Sequence, residues 1–302
     1  MKTANTRTYA ERKHTGFTLI EVMVGMVIGM IGMIVMLQVF SNAEAQKRAT
    51  TGSGDAQSNG AMAIYTLQRD IRQAGYGFNA LNAMGCSLAL PAPASRAINQ
   101  LAPVTINPPV ADVPAGDANS DTLLIVYGSG EGSPEGDSIT SVAGSQVAVF
   151  TPANFSAFVN VATTPYRVIA APSSITVNCA LSLSAVTAFA SPNLTIASSG
   201  AVEEGSLFNL GFAPRILAYA VRAGNLTVCD YMAANCGAAC TATDGTCSAN
   251  WVPIVNNIVS LRAQYGRDIL PAPPAARDYV VDTWDQTTPA KPATTLQSAW
   301  DT

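Results

Sequence analysis

The sequence contains very little charge. Asp, Glu, Lys and Arg together make up 12% of its 302 residues, about half of the roughly 25% that is usual in a soluble globular protein. A disordered chain needs high charge and a coiled coil needs abundant Glu and Lys, so both classes are excluded. Acidic residues outnumber basic ones by 20 to 16. Because nucleic-acid binding needs a basic surface, no nucleic-acid contact is predicted.

Histidine is almost absent. The single histidine, His14, lies in a polar and basic stretch before the first apolar run. The residues after it cannot supply a Ser-His-Asp or Cys-His nucleophile system, a histidine zinc site or a facial-triad iron site. The sequence also offers no credible carboxylate pair and no phosphate-binding loop. We therefore expect a protein that is not an enzyme and that needs no cofactor and no metal.

One long apolar run follows a short basic segment. Residues 1–16 carry a net charge of +3, and residues 17–40 then contain a single charge, Glu21. At about 1.5 Å per residue such a helix spans about 36 Å, enough for a hydrocarbon core of about 30 Å. The basic flank predicts a cytoplasmic amino terminus. A removable secretory signal fits poorly, since its apolar region is only about 7 to 15 residues long.

Glu21 is the residue that a simple membrane anchor does not explain. A carboxylate in a membrane span costs about 2.5 to 3.5 kcal/mol on insertion scales. The helix dipole stabilises an anion in the first turn by only about 0.3 to 1 kcal/mol, which offsets part of this cost. A cut between Gly16 and Phe17 would create an amino group one helical turn from Glu21, or beside the Glu21 of a neighbouring subunit. The carboxylate would then have a partner.

These residues carry a resemblance to a known family. The string Gly16-Phe17-Thr18-Leu19-Ile20-Glu21, between a basic leader and an apolar helix, resembles the signal of type IV prepilins and type II secretion pseudopilins. The resemblance implies that prepilin peptidase cuts after Gly16 and methylates the new terminal Phe17. It also implies that Glu21 sets the register of each subunit during assembly.

The apolar helix also contains a stripe of small residues, Gly25, Gly29 and Gly32, among methionines at spacings of three and four. Small residues permit close helix approach in lipid, and methionine fills irregular gaps. The stripe is therefore either a packing face between filament helices or lipid-facing filler in an anchor.

The helix is predicted to continue beyond the span. In residues 56–74 the side chains of Ile64, Leu67, Ile71 and Ala74 share one face, and Gly75 is a natural C-cap. Asp70 and Arg72 are expected on the solvated surface. The string LQRDIRQAGYGF at 67–78 is similar to the stretch that follows the anchor helix in PilW-type minor pilins.

Beyond residue 79 the sequence consists of short apolar runs separated by Pro, Gly, Ser and Asn, which is typical of strands and turns. The string VNNIVSLRAQYGRD at 255–268 is similar to a late PilW-type motif. The segment 89–118 is rich in Pro and Ala and predicts an extended loop. Candidate strands are 122–127, 146–150, 166–170, 174–177, 215–222, 225–229 and 254–265.

Six cysteines follow the membrane span: Cys86, Cys179, Cys229, Cys236, Cys240 and Cys247. An even number in an exported, oxidising location favours disulfides, although spacing alone does not assign their connectivity. We expect a long-range Cys86 to Cys179 bridge and a stapled loop over 229–247. A zinc site in the last four is the rival, and it lacks the usual C-x2-C pairs.

The expected fold is α+β, with a long N-terminal transmembrane and amphipathic α-helix packed on a predominantly antiparallel β-rich globular domain, as in type IV pilins. The expected segments are a cleaved prepilin leader at 1–16, a transmembrane and filament-core helix at 17–43, its amphipathic continuation at 44–78 and an exported, disulfide-containing β-rich domain at 79–302.

The resemblance implies a non-catalytic minor pilin of PilW type that helps to initiate a type IV pilus near its tip. The alternatives are a large J-like pseudopilin of a type II secretion system and a membrane-anchored adhesin. The implied partners are prepilin peptidase, other minor pilins, the major pilin, the inner-membrane assembly platform, a tip adhesin and the lipid bilayer. The implied location is the inner membrane before assembly and a periplasmic or extracellular pilus afterwards.

Overall fold

The computed structural model describes residues 16–80, 82–130, 132–133, 135–155, 165–172, 179–197, 204–239, 247, 249–268 and 280–288. The chain divides into two compact units, Met1–Gln57 and Ser58–Thr302. It contains one long helix near the amino terminus and a β-rich region after it. The expected α+β fold, a long apolar helix followed by a mainly antiparallel β-rich domain, is confirmed.

Helix α1 runs from Leu19 to Gln73. No proline interrupts it, since the first proline of the chain is Pro91. Residues 16–58 are exposed throughout, including every large apolar side chain between Phe17 and Phe40. The second unit holds the last turns of the helix, from Ser58 onward, and there the helix buries one face.

The described part of the second unit contains fifteen strands and one short 3-10 helix, Pro152–Phe155. The strands are β1 Ser87–Ala89, β2 Ala97–Ile98, β3 Val104–Ile106, β4 Leu123–Tyr127, β5 Asp137–Ala143, β6 Gln146–Val149, β7 Arg167–Ala171, β8 Ala180–Ala190, β9 Asn193–Ile196, β10 Ser206–Gly211, β11 Arg215–Arg222, β12 Asn225–Asp230, β13 Val252–Asn256, β14 Tyr265–Arg267 and β15 Thr283–Asp285.

Five of these strands form an antiparallel sheet in the order β13-β12-β11-β4-β3. Both faces of its middle strand, β11, are buried. On β11, Leu217, Tyr219 and Val221 belong to one apolar cluster, which also contains Ala63 and Leu67 of α1. The alternate residues, Ile216, Ala218 and Ala220, belong to a second cluster. Because side chains alternate between the faces of a strand, the helix covers one face only.

The other face packs on a second sheet, of eight strands in the order β2-β1-β8-β7-β10-β5-β6-β9. The long strand β8 pairs with β7 through residues 183–185 and with β9 through residues 186–190. The pairings from β8 through β7, β10, β5, β6 and β9 back to β8 therefore form a closed ring. A separate apolar cluster, which includes Phe155 and Val168, lies among these strands. Among the described pairings, only β1 with β8 is parallel.

Several predicted strands are present with nearly the predicted bounds: β4, β6, β7, β11 and β12. The candidate at 174–177 lies outside the described residues. The single strand predicted at 254–265 is wrong. The chain forms β13 up to Asn256, and Asn257 then adopts a positive φ of 58°. The N–H of Ile258 donates to the carbonyl of Gly224 at 2.8 Å, so the chain leaves the strand there. The predicted loop at 89–118 contains the short strands β2 and β3.

The predicted apolar face of the helix is also wrong in part. Leu67 is buried and Ala74 is partly buried, but Ile64 and Ile71 are exposed. The inward positions are instead Ala63, Leu67 and Asp70, one helical turn apart from each other. The small Ala63 and the hydrogen-bonded Asp70 therefore occupy places that the sequence assigned to isoleucines.

We predict that Leu67→Ala lowers the free energy of unfolding of the second unit by about 2 to 4 kcal/mol, because it leaves a cavity between the helix and the sheet. The matched control, Ile64→Ala, should change it by less than about 0.5 kcal/mol because Ile64 is exposed. Urea unfolding of the full chain in neutral detergent, followed by tryptophan fluorescence to which the buried Trp251 contributes, measures both. Equal effects of the two substitutions would contradict this packing.

Candidate functional site

The amino-terminal residues of interest lie at the start of α1. Gly16, Phe17 and Thr18 precede the helix, and the N–H groups of Glu21 and Val22 donate to the carbonyl of Thr18 at 3.1 and 3.3 Å. Glu21 lies in the first turn and is exposed. Among the described residues, no basic side chain lies within ion-pair distance of it. Its place in the fold leaves it open to a partner from another molecule or from a new chain terminus.

The small-residue stripe is equally uncovered. A Cβ added at Gly25, Gly29 or Gly32 would meet nothing within 4 Å. In the described part of the chain, α1 is the one helix that is long and apolar enough to cross a membrane by length and composition. Such a surface requires lipid or other helices around it, because large apolar patches are unfavourable in water.

The described cysteines are all in disulfides. Cys86 is joined to Cys179, which is the pairing expected from the sequence, and Cys229 is joined to Cys236. Cys247 is also disulfide-bonded, and Cys240 lies outside the described residues. A sulfur in a disulfide is not a thiolate, so these cysteines do not form the zinc site considered as the rival.

The first disulfide lies where two strands begin side by side. Cys86 and Cys179 immediately precede β1 and β8, and the N–H of Ser87 donates to the carbonyl of Cys179 at 3.1 Å. Cys86 is buried in the cluster between the two sheets. The bridge therefore fixes the parallel pairing of β1 with β8 across a sequence separation of 93 residues.

Asp70 is a functional candidate whose predicted position, on the solvated surface of the helix, is wrong. It was expected on the solvated helix surface, but its side chain is fully buried against the central sheet. Tyr219 of β11 donates its hydroxyl to Asp70 Oδ2, and Tyr127 of β4 donates to Oδ1 at 3.3 Å. Arg69 adds an ion pair from Nε to Oδ1 at 3.0 Å. Both carboxylate oxygens therefore have partners.

These contacts explain why a carboxylate is tolerated in an apolar interface. Burying an unpaired charge is costly, whereas a hydrogen bond to a charged group contributes about 1.5 to 3 kcal/mol. Burial raises the pKa of Tyr219, and its hydrogen bond to Asp70 raises it further. Burial also raises the pKa of Tyr127, with the negative charge of Asp70 as the next cause. Both tyrosines therefore remain neutral donors.

The glycines after the helix join it to the same sheet. Gly75 and Gly77 have φ values of +82° and +91°, which side-chain-bearing residues rarely adopt. The N–H of Gly75 donates to the carbonyl of Val126, and the N–H of Gly128 donates to the carbonyl of Tyr76. Residues 75–77 thus run beside the end of β4. The string at 67–78 therefore contains the residues that hold the end of the helix against the sheet.

The string at 255–268 runs from β13, at one edge of the central sheet, to β3 at the other edge. The hydroxyl of Tyr265 accepts from the N–H of Ile106 at 2.8 Å and donates to the carbonyl of Val104 at 3.0 Å, so it holds the edge strand β3. Nearby, the buried Asp121 accepts from the N–H of Ala263 at 2.9 Å. The predicted Tyr-Gly-x-Asp ending therefore contains a residue that ties the chain to β3.

Comparison with known proteins gives one finding for the amino terminus. Residues 12–37 match the family described as the prokaryotic N-terminal methylation motif. No match was found among curated proteins or among solved structures.

This motif supports a pilin or pseudopilin family. It suggests a structural, non-enzymatic protein, and it implies processing by prepilin peptidase and assembly with other pilins. An apolar helix with this motif fits membrane anchoring. Among the described residues, no group of three or more His, Cys, Asp or Glu side chains is placed to hold a metal ion.

We predict that Tyr219→Phe destabilises the protein by about 1 to 3 kcal/mol near neutral pH, because Asp70 loses a donor. It should also flatten the alkaline stability profile. With the pKa of Tyr219 raised in the folded state, its stabilising contribution is complete below about pH 10, the pKa of an unfolded tyrosine, and is lost above that at up to about 1.4 kcal/mol per pH unit.

Urea unfolding at a series of pH values measures both effects. Tyr65→Phe is the matched control, because Tyr65 is on the same helix and exposed. The control should keep the stability and the alkaline slope of the unmodified chain. An unchanged slope in Tyr219→Phe would show that its hydroxyl does not depend on the buried contact with Asp70.

Proposed function

We propose that this chain is a minor pilin of PilW type, a non-catalytic structural subunit that enters a type IV pilus near its tip and helps to initiate its assembly. The observation that carries the proposal is the methylation motif at 12–37 at the start of an exposed apolar helix. The PilW type is supported by the strings at 67–78 and 255–268. The first seats the helix and the second holds an edge strand.

In this proposal the segments have separate roles. Residues 1–16 are a leader removed by prepilin peptidase, and Phe17 becomes the methylated terminus. Residues 17–43 anchor the subunit in the inner membrane, with the amino terminus cytoplasmic, and later lie in the filament core. Residues 44–78 continue the helix, and 79–302 form the exported domain. The major pilin, other minor pilins, the assembly platform and a tip adhesin are the partners.

Glu21 has a specific task in this scheme. Cleavage after Gly16 places a positive amino group at Phe17, four residues before Glu21. In lipid, the carboxylate gains far more from such a charge than it would in water, because the low dielectric strengthens the attraction. If the amino group belongs to the neighbouring subunit, the pair fixes the axial register between two helices. Gly25, Gly29 and Gly32 permit close approach of those helices.

A large J-like pseudopilin of a type II secretion system shares the leader and the long helix, and it is the second candidate. Deletion of the gene separates the two functions. Loss of surface pili with normal protein secretion supports the pilin, whereas loss of secretion with normal piliation contradicts it. Mass spectrometry of sheared pili shows whether the chain is present in them.

We predict that the mature chain begins at an N-methylated Phe17 and that Glu21→Ala is still cleaved but falls at least about tenfold in sheared pili. The physical reason is that peptidase recognition precedes assembly, whereas the charge pair is needed for docking, and a tenfold change corresponds to about 1.4 kcal/mol. Mass spectrometry of the mature terminus and quantitative immunoblots of sheared pili measure the two effects.

Glu44→Ala is the matched control, because Glu44 is an exposed glutamate farther along the same helix that pairs with Arg48 at 3.5 Å. It should be processed and incorporated normally. An uncleaved Met1 terminus would contradict the proposed class. Normal incorporation of Glu21→Ala would contradict the register role.

A further inference from the structure

An open groove of about 1160 Å³ lies in the second unit where α1 ends beside the central sheet. The last turn of the helix, the segment after it and strands β4, β11, β12 and β13 all contribute to its lining. The volume exceeds the roughly 300 to 1,000 Å³ of most small-molecule pockets. Neither the assembly residues at 16–21 nor the disulfides belong to this groove.

The exposed charge of the groove is positive in an acidic protein. Four arginines of the second unit are exposed in the part that the structure describes, and three of them, Arg69, Arg72 and Arg215, line the groove. Its two carboxylates are already engaged. Asp70 is fully buried and bonded to two tyrosines and to Arg69, and Asp230 pairs with Arg215 at 2.7 Å while only 18% of its side chain is exposed. The three arginines therefore exceed the two carboxylates by one positive charge. The chain as a whole has a formal charge of −4.

The remaining surface of the groove is mixed. Leu217, Val228 and Ile254 supply apolar contact from neighbouring strands of the central sheet. Exposed side-chain amides of Gln73 and Asn79 lie around them. Such groups can bond to a peptide backbone, and the apolar floor can take alternate side chains. A small inorganic anion would use the arginines and leave this floor unused.

We propose that this groove binds an acidic peptide segment of a partner protein, with its carboxylates on the arginines and its apolar side chains on the floor. Guanidinium groups suit this task because they form directed, charge-assisted hydrogen bonds with carboxylates. The inference goes beyond the proposed pilus function and does not require it. A groove that binds acidic segments can select a partner wherever the chain is located.

The experiment uses the purified full chain in neutral detergent. Fluorescence anisotropy follows a labelled peptide Asp-Leu-Glu-Leu-Asp, with Lys-Leu-Lys-Leu-Lys as its charge-reversed counterpart. We expect the acidic peptide alone to bind, and its Kd to rise with NaCl as the charges are screened. Arg72→Gln and Arg215→Gln should each raise Kd about threefold, which is within the range for one exposed charge pair, and together about tenfold.

Arg262→Gln is the matched control, because Arg262 is exposed to a similar extent as Arg215, also pairs with an aspartate, and lies outside the groove. It should leave Kd unchanged. Unfolding midpoints equal to that of the unmodified chain show that each variant is folded.

Three outcomes would overturn the proposal: equal binding of the lysine peptide, equal weakening by Arg262→Gln, or full displacement of the acidic peptide by inorganic phosphate at constant ionic strength. The last would identify a small-anion site. Because binding is measured on the purified chain, a lack of peptide binding would contradict this inference without contradicting cleavage after Gly16 or pilus incorporation. An uncleaved terminus would contradict the proposed class without changing the result of the peptide assay.

Discussion

The structure of the second unit depends on a central sheet whose middle strand, β11, must bury both of its faces. Along β11, Ile216 and Ala218 face one apolar cluster while Leu217 and Tyr219 face another. Because such a strand has no polar side to turn to water, the sheet needs a cover on each face. The end of α1 supplies one cover and the eight-stranded sheet supplies the other. The rest of the fold follows from providing these two covers.

The helix that covers the sheet is held in register by a polar contact. Apolar packing alone is non-directional and tolerates small shifts, whereas the two tyrosine hydroxyls on β4 and β11 converge on one carboxylate, Asp70. A shift of one residue along the helix turns a side chain by about 100°. Asp70 would then lose both donors while remaining near the apolar interface. The buried carboxylate therefore contributes specificity in addition to stability. After the helix, the positive φ values of Gly75 and Gly77 let the chain bond to the end of β4, which keeps the same alignment.

The parts of the fold that could be predicted are those with a strong local pattern. The membrane-length helix, and strands such as β4 and β11, are apolar over their whole length and bounded by turn residues. The longest strand, β8, was missed because its Ala- and Ser-rich sequence has weak strand propensity. It is a strand because β1, β7 and β9 pair with it. Similarly, the break after Asn256 depends on a hydrogen bond to Gly224, a distant residue in the chain.

The sequence by itself determined the apolar helix, its lone charge at Glu21 and the methylation motif, because these depend on residue type and order along one segment. It also indicated the importance of the string at 67–78. Only the tertiary structure decided that Asp70 faces inward, since periodicity favoured Ile64 and Ile71 there and the tyrosines that compensate its burial lie 57 and 149 residues away. The same holds for the groove, whose arginines come from a helix and a strand that only the fold brings together.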